Sequence, residues 1–390
     1  MSVVAYVPTT YPVLSETFVS LEVAELRRQG AQVEVVAVYA GDAGGDVGRV
    51  DLLWRPPCSR PQLALAHARL ALAHPRRYAE FLRVRRLLAD PGMSWQHLPW
   101  WALDLRRRGV EVVHAHFAWS SASRAWGLSA LLGVPWSVTV HASDIFAVRE
   151  HLEEKLAAAD AVVTVCTYNR DWLREELGLT RPIEIVVCGV EVPAPSDGSD
   201  PEGDDVLVVG RLVEKKGIDV LLRAVALWGD SRRDVRIRVI GDGPLREELH
   251  DLAGSLGVLD RVVFAGAVSH AETLTAIGRA RILCLPCRVA RNGDRDSMPL
   301  VIKEAMVRGV PVVASDAVGV PEMVDPSSGW LVPPDDPSAL SAALAEALDD
   351  RDEATARGEA GRRRALEHFR LDVEVGRLRQ VFDTLAAAGR

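Results

Sequence analysis

Short apolar runs rich in Val, Ile and Leu alternate along this chain with segments of helical length, and that alternation is the feature that most narrows its folds. It opens with Val3 to Val7, an amphipathic stretch from Glu16 to Gln29 stopped at Gly30, and Val33 to Val38. Further runs follow at Val110 to Ala115, Trp136 to Val140, Ala161 to Val165 and Ile183 to Val187, separated by stretches such as Ser121 to Leu132. A strand that is apolar along its whole length has to be covered on both faces, which crossover helices on a parallel sheet achieve. The expected class is α/β, with doubly wound parallel sheets.

The pattern breaks once. Pro193 to Asp205 is a Pro, Gly and acidic stretch with nothing larger than Ala to bury, and it reads as a linker. The alternation restarts at Val206 to Val209 and runs through Arg236 to Ile240, Val262 to Phe264, Ile282 to Leu285, Val310 to Ala314 and Gly329 to Val332. Helices are expected at Ile218 to Trp228 and Leu245 to Leu256, and from about Ser338 and Glu353. At 390 residues the chain exceeds the roughly 250 to 300 at which a single core stops growing. Two domains are therefore expected: 1–193, with a helical insertion at about 59–101, and 206–370, joined by 194–205. An amphipathic segment at 371–390 has apolar surface to spare and is expected to pack back on the first domain. Open parallel sheets bind ligands outside their strand C-termini, so the site is expected in a cleft that both sheets face.

Composition limits the partners. A net charge of −8 argues against a nucleic-acid partner, which needs a broad basic surface. No apolar run reaches the roughly 18 residues of a membrane span. Five scattered cysteines, and a start lacking a charged then apolar segment, favour a cytoplasmic protein. Cys284 and Cys287 form a C-x-x-C with no second pair to complete a metal set. The Arg-rich 59–101 region ends in Trp95, Trp100 and Trp101; a helical insertion packed on the first domain is the favoured reading, and a peripheral contact with the inner membrane face the other. A monomer or a homodimer is expected.

The chemistry concentrates after the linker. Val206 to Val209 runs directly into Gly210-Arg211, with Lys216-Gly217 opening a helix. A glycine at a strand end lets backbone approach a ligand, and the two cations Arg211 and Lys216 suit an anionic diphosphate. Asp296-Ser297-Met298-Pro299-Leu300 then leads to Glu304, setting two carboxylates eight positions apart. With Pro299 as first helical residue, the N–H groups of Leu300 and its neighbours would face an anion. Glu304 lies roughly 7 Å further along the axis, its side chain leaning back, within reach of a ribose diol. Asp296 is left to accept hydrogen bonds from sugar hydroxyls.

Together with Gly241-Asp242-Gly243-Pro244, Glu304-Ala305-Met306, Gly309-Val310-Pro311 and Gly319 to Glu322, these segments resemble the retaining glycosyltransferases of family 4, which have the GT-B fold of two Rossmann-like domains. The resemblance covers nearly the whole chain and is stronger after Val206. It implies that Gly210, Arg211, Lys216 and Leu300 hold the diphosphate, Glu304 the ribose, and Asp296 with Ser297, Met298 and Pro299 the donor sugar. Two departures stand out: Asp296 replaces the commoner Glu, and Ser297-Met298-Pro299 replaces Gly-Phe-Gly, which bears on the sugar more than on the reaction.

Before the linker, His114, His116 and His141 fall at strand ends. By resemblance His141 touches the donor and Asp144 is its loop partner; physically, a neutral imidazole can hydrogen-bond a hydroxyl or a leaving phosphate. In the first strand-to-helix turn Ser15 is a candidate N-cap and Glu16 a candidate acceptor contact, with His116 and Asp144 completing the acceptor side. The expected activity is transfer of a hexose from a nucleotide diphosphate sugar, a UDP-sugar first, to a hydroxyl acceptor in polysaccharide, glycoconjugate or natural-product synthesis. His141, Arg211, Lys216 and Asp296 would carry the catalysis, without cofactor or metal. The Arg288 to Arg295 loop reads as a lid or anion contact. The rival readings are a sugar phosphorylase or epimerase on the same fold, and a noncatalytic nucleotide-sugar-binding subunit.

Overall fold

The computed structural model describes residues 2–13, 16–41, 50–53, 56–88, 95–193 and 205–389. Residues 194–204 of the expected linker lie outside these, as does Ser15. The chain divides into two units, 1–165 with 169–187 and 372–390, and 166–168 with 188–371.

In the first unit a seven-stranded parallel sheet is built from β1 (Val3–Tyr6), β3 (Gln32–Ala37), β5 (Val50–Leu52), β6 (Val112–His116), β7 (Trp136–Val140), β8 (Ala161–Thr164) and β9 (Ile183–Ile185), in the order β5-β3-β1-β6-β7-β8-β9. A two-stranded ribbon, β2 (Thr10–Tyr11) with β4 (Tyr39–Ala40), sits beside it. β6 and β7 are buried at every residue, the polar His114, His116, Ser137 and Thr139 included. The chain winds outward from β1 in one direction, then returns to β6 on its other side. The switch point between β1 and β6 is where such a sheet offers a crevice.

The 59–101 segment is helical, at Arg60–Ala73, Pro75–Leu88 and, after a short 3-10 turn at Trp95–His97, Leu98–Arg107. Trp95 and Trp101 are 5% and 1% exposed, and the Trp101 indole donates to Leu53 O at 3.0 Å. These two rings belong to the core of the unit, so they are removed from any membrane-facing role. What the segment leaves on the surface is Leu65, Leu72 and Leu82 among arginines.

The C-terminal helix Leu371–Ala388 contributes all but its first residue to the first unit. Asp383 accepts from Ser2 N at 3.1 Å and Ser2 Oγ at 3.0 Å, and Glu374 accepts from Val187 N at 3.0 Å. Phe382, fully buried, packs on His114 and Tyr6.

The second unit is a six-stranded parallel sheet: β10 (Val206–Val209), β11 (Ile237–Ile240), β12 (Val262–Gly266), β13 (Ile282–Leu285), β14 (Val312–Ser315) and β15 (Trp330–Val332), ordered β12-β11-β10-β13-β14-β15. Its switch point lies between β10 and β13. Helix starts are capped as the sequence dictates: Ser269 and Glu272 form a capping box, and Asp336 and Asp350 accept from Ala339 N and Glu353 N. Each such cap is worth about 1 kcal/mol.

The crossover between units comes at Val187/Cys188, six residues before the boundary expected at Pro193. The reason is a set of bonds that composition does not reveal. The buried Lys303 ammonium donates to Cys188 O at 2.5 Å, Val190 N to Phe369 O at 2.8 Å, and Leu371 N to Val190 O at 3.0 Å.

Candidate functional site

In the second unit, β10 ends at Gly210, whose N–H bonds Ile240 O at 2.9 Å. Gly241, after β11, has φ +138°, and a Cβ there would lie 1.9 Å from Gly210 O, so the two strand ends can meet only because a side chain is missing. The turn that follows, Glu214–Lys216, is a single 3-10 turn closed by Gly217 in the left-handed region. It delivers Lys216 back under Gly210, where its Cε would be 3.1 Å from a Cβ at that position.

Lys216 Nζ bonds Asp296 Oδ2, and Lys215 Nζ reaches Asp296 Oδ1 at 3.2 Å and Asp294 at 3.1 Å. The Cys287 thiol completes the set by donating to Asp296 Oδ2 at 3.5 Å. Side-chain exposures of 14% for both Lys216 and Asp296 mean that little water screens the pair. Burial opposes both charges, but the lysines hold the Asp296 carboxyl far below the usual range, and Asp296 holds the Lys216 ammonium well above its own. Both groups are ionised over the whole neutral range. Asp296 is thus not a solitary acceptor; it is the counter-ion of Lys216 and Lys215. Lys215 and Cys287 were missed in the sequence because nothing in a Lys-Lys pair points at a carboxylate some eighty positions on, and nothing in a C-x-x-C points at one nine positions on. Cys284 and Cys287 are free thiols, and burial pushes both up.

Arg211 is exposed, and its guanidinium makes no ion pair among the described residues. Ser297 and Pro299 are buried and Met298 is half-buried. Ser297 O accepts Gly319 N at 3.1 Å, which joins the two loops named in the sequence. The helix that follows is Leu300–Met306, so Pro299 occupies the N-cap, not the first helical position as expected. Its ψ of 124° keeps it extended, one residue short of the helix. Glu304 is 6% exposed and accepts from His270 Nε2 at 2.7 Å, a partner the sequence did not suggest. Arg288 is not available as a lid cation: it donates to Asp219 (2.9 Å), Asp335 (2.8 Å) and Glu214 O (3.1 Å), pinning the loop to the Lys215–Lys216 turn. Arg295 bonds Tyr168 Oη at 3.1 Å.

In the first unit, the switch point is filled by rings. His141 Nε2 lies 3.0 Å from His116 Nδ1, and His116 Nε2 lies 2.8 Å from Glu22 Oε1, which also accepts the Tyr6 hydroxyl at 2.5 Å. With Nε2 of His116 donating to the carboxylate, its Nδ1 is the acceptor for His141 Nε2–H, and the His141 lone pair is at Nδ1. Glu22, Tyr6, His116 and His141 come from a helix and three strands or strand ends, 135 positions apart at the extremes. His114 bonds Ser137 Oγ at 2.8 Å, and complete burial pushes it well below the ordinary histidine range. Glu22, His114 and His116 offer ligand atoms within 4.8 Å of one another. Their bonds to Tyr6, Ser137 and His141 account for that closeness without a cation.

Two acceptor-side expectations change. Asp144 is fully buried, and its oxygens accept Ala118 N (2.9 Å) and His141 N (3.0 Å). Desolvation raises its carboxyl to about 6 against those bonds. It shapes the loop carrying His141 and is not itself presented to a ligand. His116, 4% exposed, stands behind His141 and orients it. Glu16 is at the N-cap of the helix Thr17–Arg28 but makes no side-chain cap; burial raises its carboxyl, and His116 pulls it down less. It keeps the chemistry of a proton acceptor. Phe117, at φ +66°, stacks on Trp119 with centroids 4.7 Å apart and lies 4.5 Å from His141. The Trp119 indole N–H is buried and has no partner among the described residues. A strained backbone and an unspent donor beside an imidazole are the marks of a binding surface.

The comparisons with known proteins agree with this geometry. Residues 15–192 match the family described as "Glycosyltransferase Family 4", and 194–364 match "Glycosyl transferases group 1". A GDP-mannose-dependent alpha-(1-6)-phosphatidylinositol monomannoside mannosyltransferase of Mycolicibacterium smegmatis is 32% identical over 57% of this chain and 62% of its own, so the match spans under two thirds of that relative. An alpha-D-kanosaminyltransferase of Streptomyces kanamyceticus is 30% identical over 63% of this chain and 70% of its own. Among solved structures, Anabaena HepE in complex with UDP and glucose superposes with a TM-score of 0.74, at 16% identity, over 98% of this chain and all of that one. The chain belongs to glycosyltransferase family 4 and has the GT-B fold, two Rossmann-like domains each with its own parallel sheet.

Proposed function

We propose that the protein is a retaining glycosyltransferase that moves a hexose from a nucleotide diphosphate sugar to a hydroxyl acceptor in the synthesis of a polysaccharide, glycoconjugate or natural product. The observation that carries this reading is the half-buried Lys215–Lys216–Asp296 cluster beneath Gly210 at the β10/β13 switch point. With Asp294 beside Lys215 its charges balance internally, so an incoming diphosphate competes with Asp296 for Lys216. As the ammonium turns to phosphate, Asp296 is released toward the sugar hydroxyls. Arg211 adds an unpaired cation at the same strand end. Fixed positive charge of this kind stabilises the departing diphosphate more than the bound donor, which is what lowers a barrier. Two cations with the Leu300 backbone do the work a metal ion does elsewhere, so the transfer is read as metal-independent.

Glu304 is assigned to the ribose, and Ser297, Met298 and Pro299 to the donor sugar. His141 takes the donor-contacting role that the family resemblance implies, with Glu16 and the Trp119 indole on the acceptor side. No side chain is assigned as nucleophile; the acceptor hydroxyl attacks from the face the diphosphate leaves, and the phosphate takes its proton. Uridine is the proposed base, supported by the UDP bound to the HepE structure; the mannosyltransferase relative makes GDP-mannose the competing donor. A lipid-linked glycan and a small glycosylated molecule are the two acceptor classes the named relatives suggest.

Thermal stabilisation of the chain by a panel of nucleotide sugars, followed by release of nucleotide from each stabilising donor, tests the reading. A donor that stabilises and is turned over with EDTA present is expected. Stabilisation with no release under any acceptor would favour the noncatalytic reading, and activity that needs inorganic phosphate but no nucleotide would favour a phosphorylase.

A further inference from the structure

His270 lies outside every motif named for the nucleotide site, yet among the described residues it is the side chain that hydrogen-bonds the Glu304 carboxylate. Its place is set locally. Ser269 caps the helix His270–Arg279, with Glu272 N donating to Ser269 Oγ at 3.2 Å and Ser269 N to Glu272 Oε2 at 2.9 Å. The first helical residue is thereby fixed in direction, and its imidazole Nε2 comes to 2.7 Å from Glu304 Oε1. Glu304 itself is buried on a different helix, Leu300–Met306. A glutamate carboxylate rotates broadly about its last torsion, so an unsupported Glu304 would lose orientation on binding a diol. One oxygen tied to His270 leaves the other to the ligand.

We propose that His270 is a positioning residue for the nucleotide: it holds Glu304 so that one carboxylate oxygen accepts from the ribose, and it makes nucleoside diphosphate affinity depend on pH. The proposal rests on the reading of Glu304 as the ribose ligand. The groups facing His270 are Glu304 and, beyond the end of that helix, Arg308, whose Nη1 donates to Glu304 O at 2.8 Å; Glu191 from the 188–193 segment; and Glu272 on its own helix, engaged with Ser269. The strand β10 packed against this helix brings no charge. A cation at a helix N-terminus is disfavoured by the helix dipole. Here the Glu304 hydrogen bond outweighs that and desolvation, and raises His270 above its ordinary value. While His270 is protonated it cancels the Glu304 charge; once it is neutral, Glu304 repels the approaching diphosphate. Affinity should therefore fall as pH rises through the titration of His270, above about 6.5.

The test is calorimetric affinity of the full chain for UDP, GDP and their 2′,3′-dideoxy counterparts, from pH 6 to 9, in wild type and in the H270A, H270Q and E304A variants. E304A should weaken UDP or GDP and erase the preference over the dideoxy form. H270A should weaken the ribonucleotide by about tenfold, and the dideoxy form, which loses only the charge compensation, by less. H270Q keeps a donor without a titrating ring, so it should recover most of the affinity but lose the part of the pH dependence that wild type shows beyond the phosphate's own. Melting curves check folding, and H270Q serves if H270A does not fold. The proposal is overturned if E304A behaves as expected while both His270 variants keep wild-type affinity and pH dependence. If E304A itself leaves ribose discrimination intact, the ribose reading falls, and this inference with it.

Discussion

The two sheets wind the same way about their first strand, β1 between β3 and β6 and β10 between β11 and β13, yet their switch points hold opposite kinds of chemistry. In the first unit the crevice is filled by rings: Tyr6, His114, His116 and His141, ordered by one carboxylate, Glu22. In the second it is filled by ions, Lys215 and Lys216 against Asp294 and Asp296. The first arrangement fixes where a hydrogen-bonding nitrogen points and carries little charge. The second stores balanced charge that an anion can reorganise. The same topology thus serves orientation in one unit and electrostatics in the other, because side chains at strand ends are free to differ while the sheets beneath them are not.

The largest effect that would break this contrast is in the second unit. Lys216→Ala removes the better buried cation, and turnover of an identified donor should fall by roughly a hundredfold or more, with the fold retained by circular dichroism. Near wild-type kcat would mean that the cluster is structural. Asp296→Asn strands two lysines with one remaining carboxylate and should cost about 3 kcal/mol in denaturant unfolding. The sign with pH is definite. The depressed Asp296 contributes stability that is present above about pH 4 and is lost as pH falls below it, so Asp296→Asn should flatten the acid limb of stability. The raised Lys216 contributes stability that is fully present below about pH 10 and is lost as pH rises well beyond it.

Smaller effects sharpen the first unit. Glu22→Gln keeps the shape of the relay but removes the carboxylate that sets the His116 and His141 tautomers. A drop in kcat of about tenfold, with donor affinity unchanged, is expected, and an equal loss in both would point to general disruption. The smallest effect is at His114. Held neutral by burial, it costs stability as the unfolded chain takes up a proton, so stability should fall as pH drops through about 6.5. His114→Gln should remove that component while leaving the contribution of Asp144, which runs the opposite way between about 4 and 6, in place. Hydrogen exchange on β6 and β7 against pH separates the two.

What could be read ahead of the structure follows local rules. The runs Val206 to Val209 and Trp136 to Val140 are strands as expected, because a parallel strand covered on both faces is apolar at most of its positions. Helix ends shifted by a residue or so, as at Thr17–Arg28, and at Pro337–Asp349, where the Asp336 cap decides the start. Pro299 moved from first helical residue to N-cap because its backbone stays extended. The contacts that crossed many positions were not legible. Glu22 reads as one more helical acid until His116, 94 positions on, is brought against it, and His270 as a helix start until Glu304 arrives. The tryptophans at 95 and 101 favoured a packed insertion over a surface face, and their burial agrees with the favoured reading.

By itself the sequence determined the class of fold, the two sheets, and the segments Gly210 to Lys216 and Asp296 to Glu304 on which a family resemblance rests, since periodicity and turn chemistry act over a few residues. Only the tertiary structure decided that Asp296 is the partner of Lys216, that Asp144 and His116 stand behind His141, and that the crossover lies at Cys188. The physical reason is that ion pairs and buried hydrogen bonds depend on distance in space and on exclusion of water, and neither quantity exists until strands far apart in the chain are laid side by side.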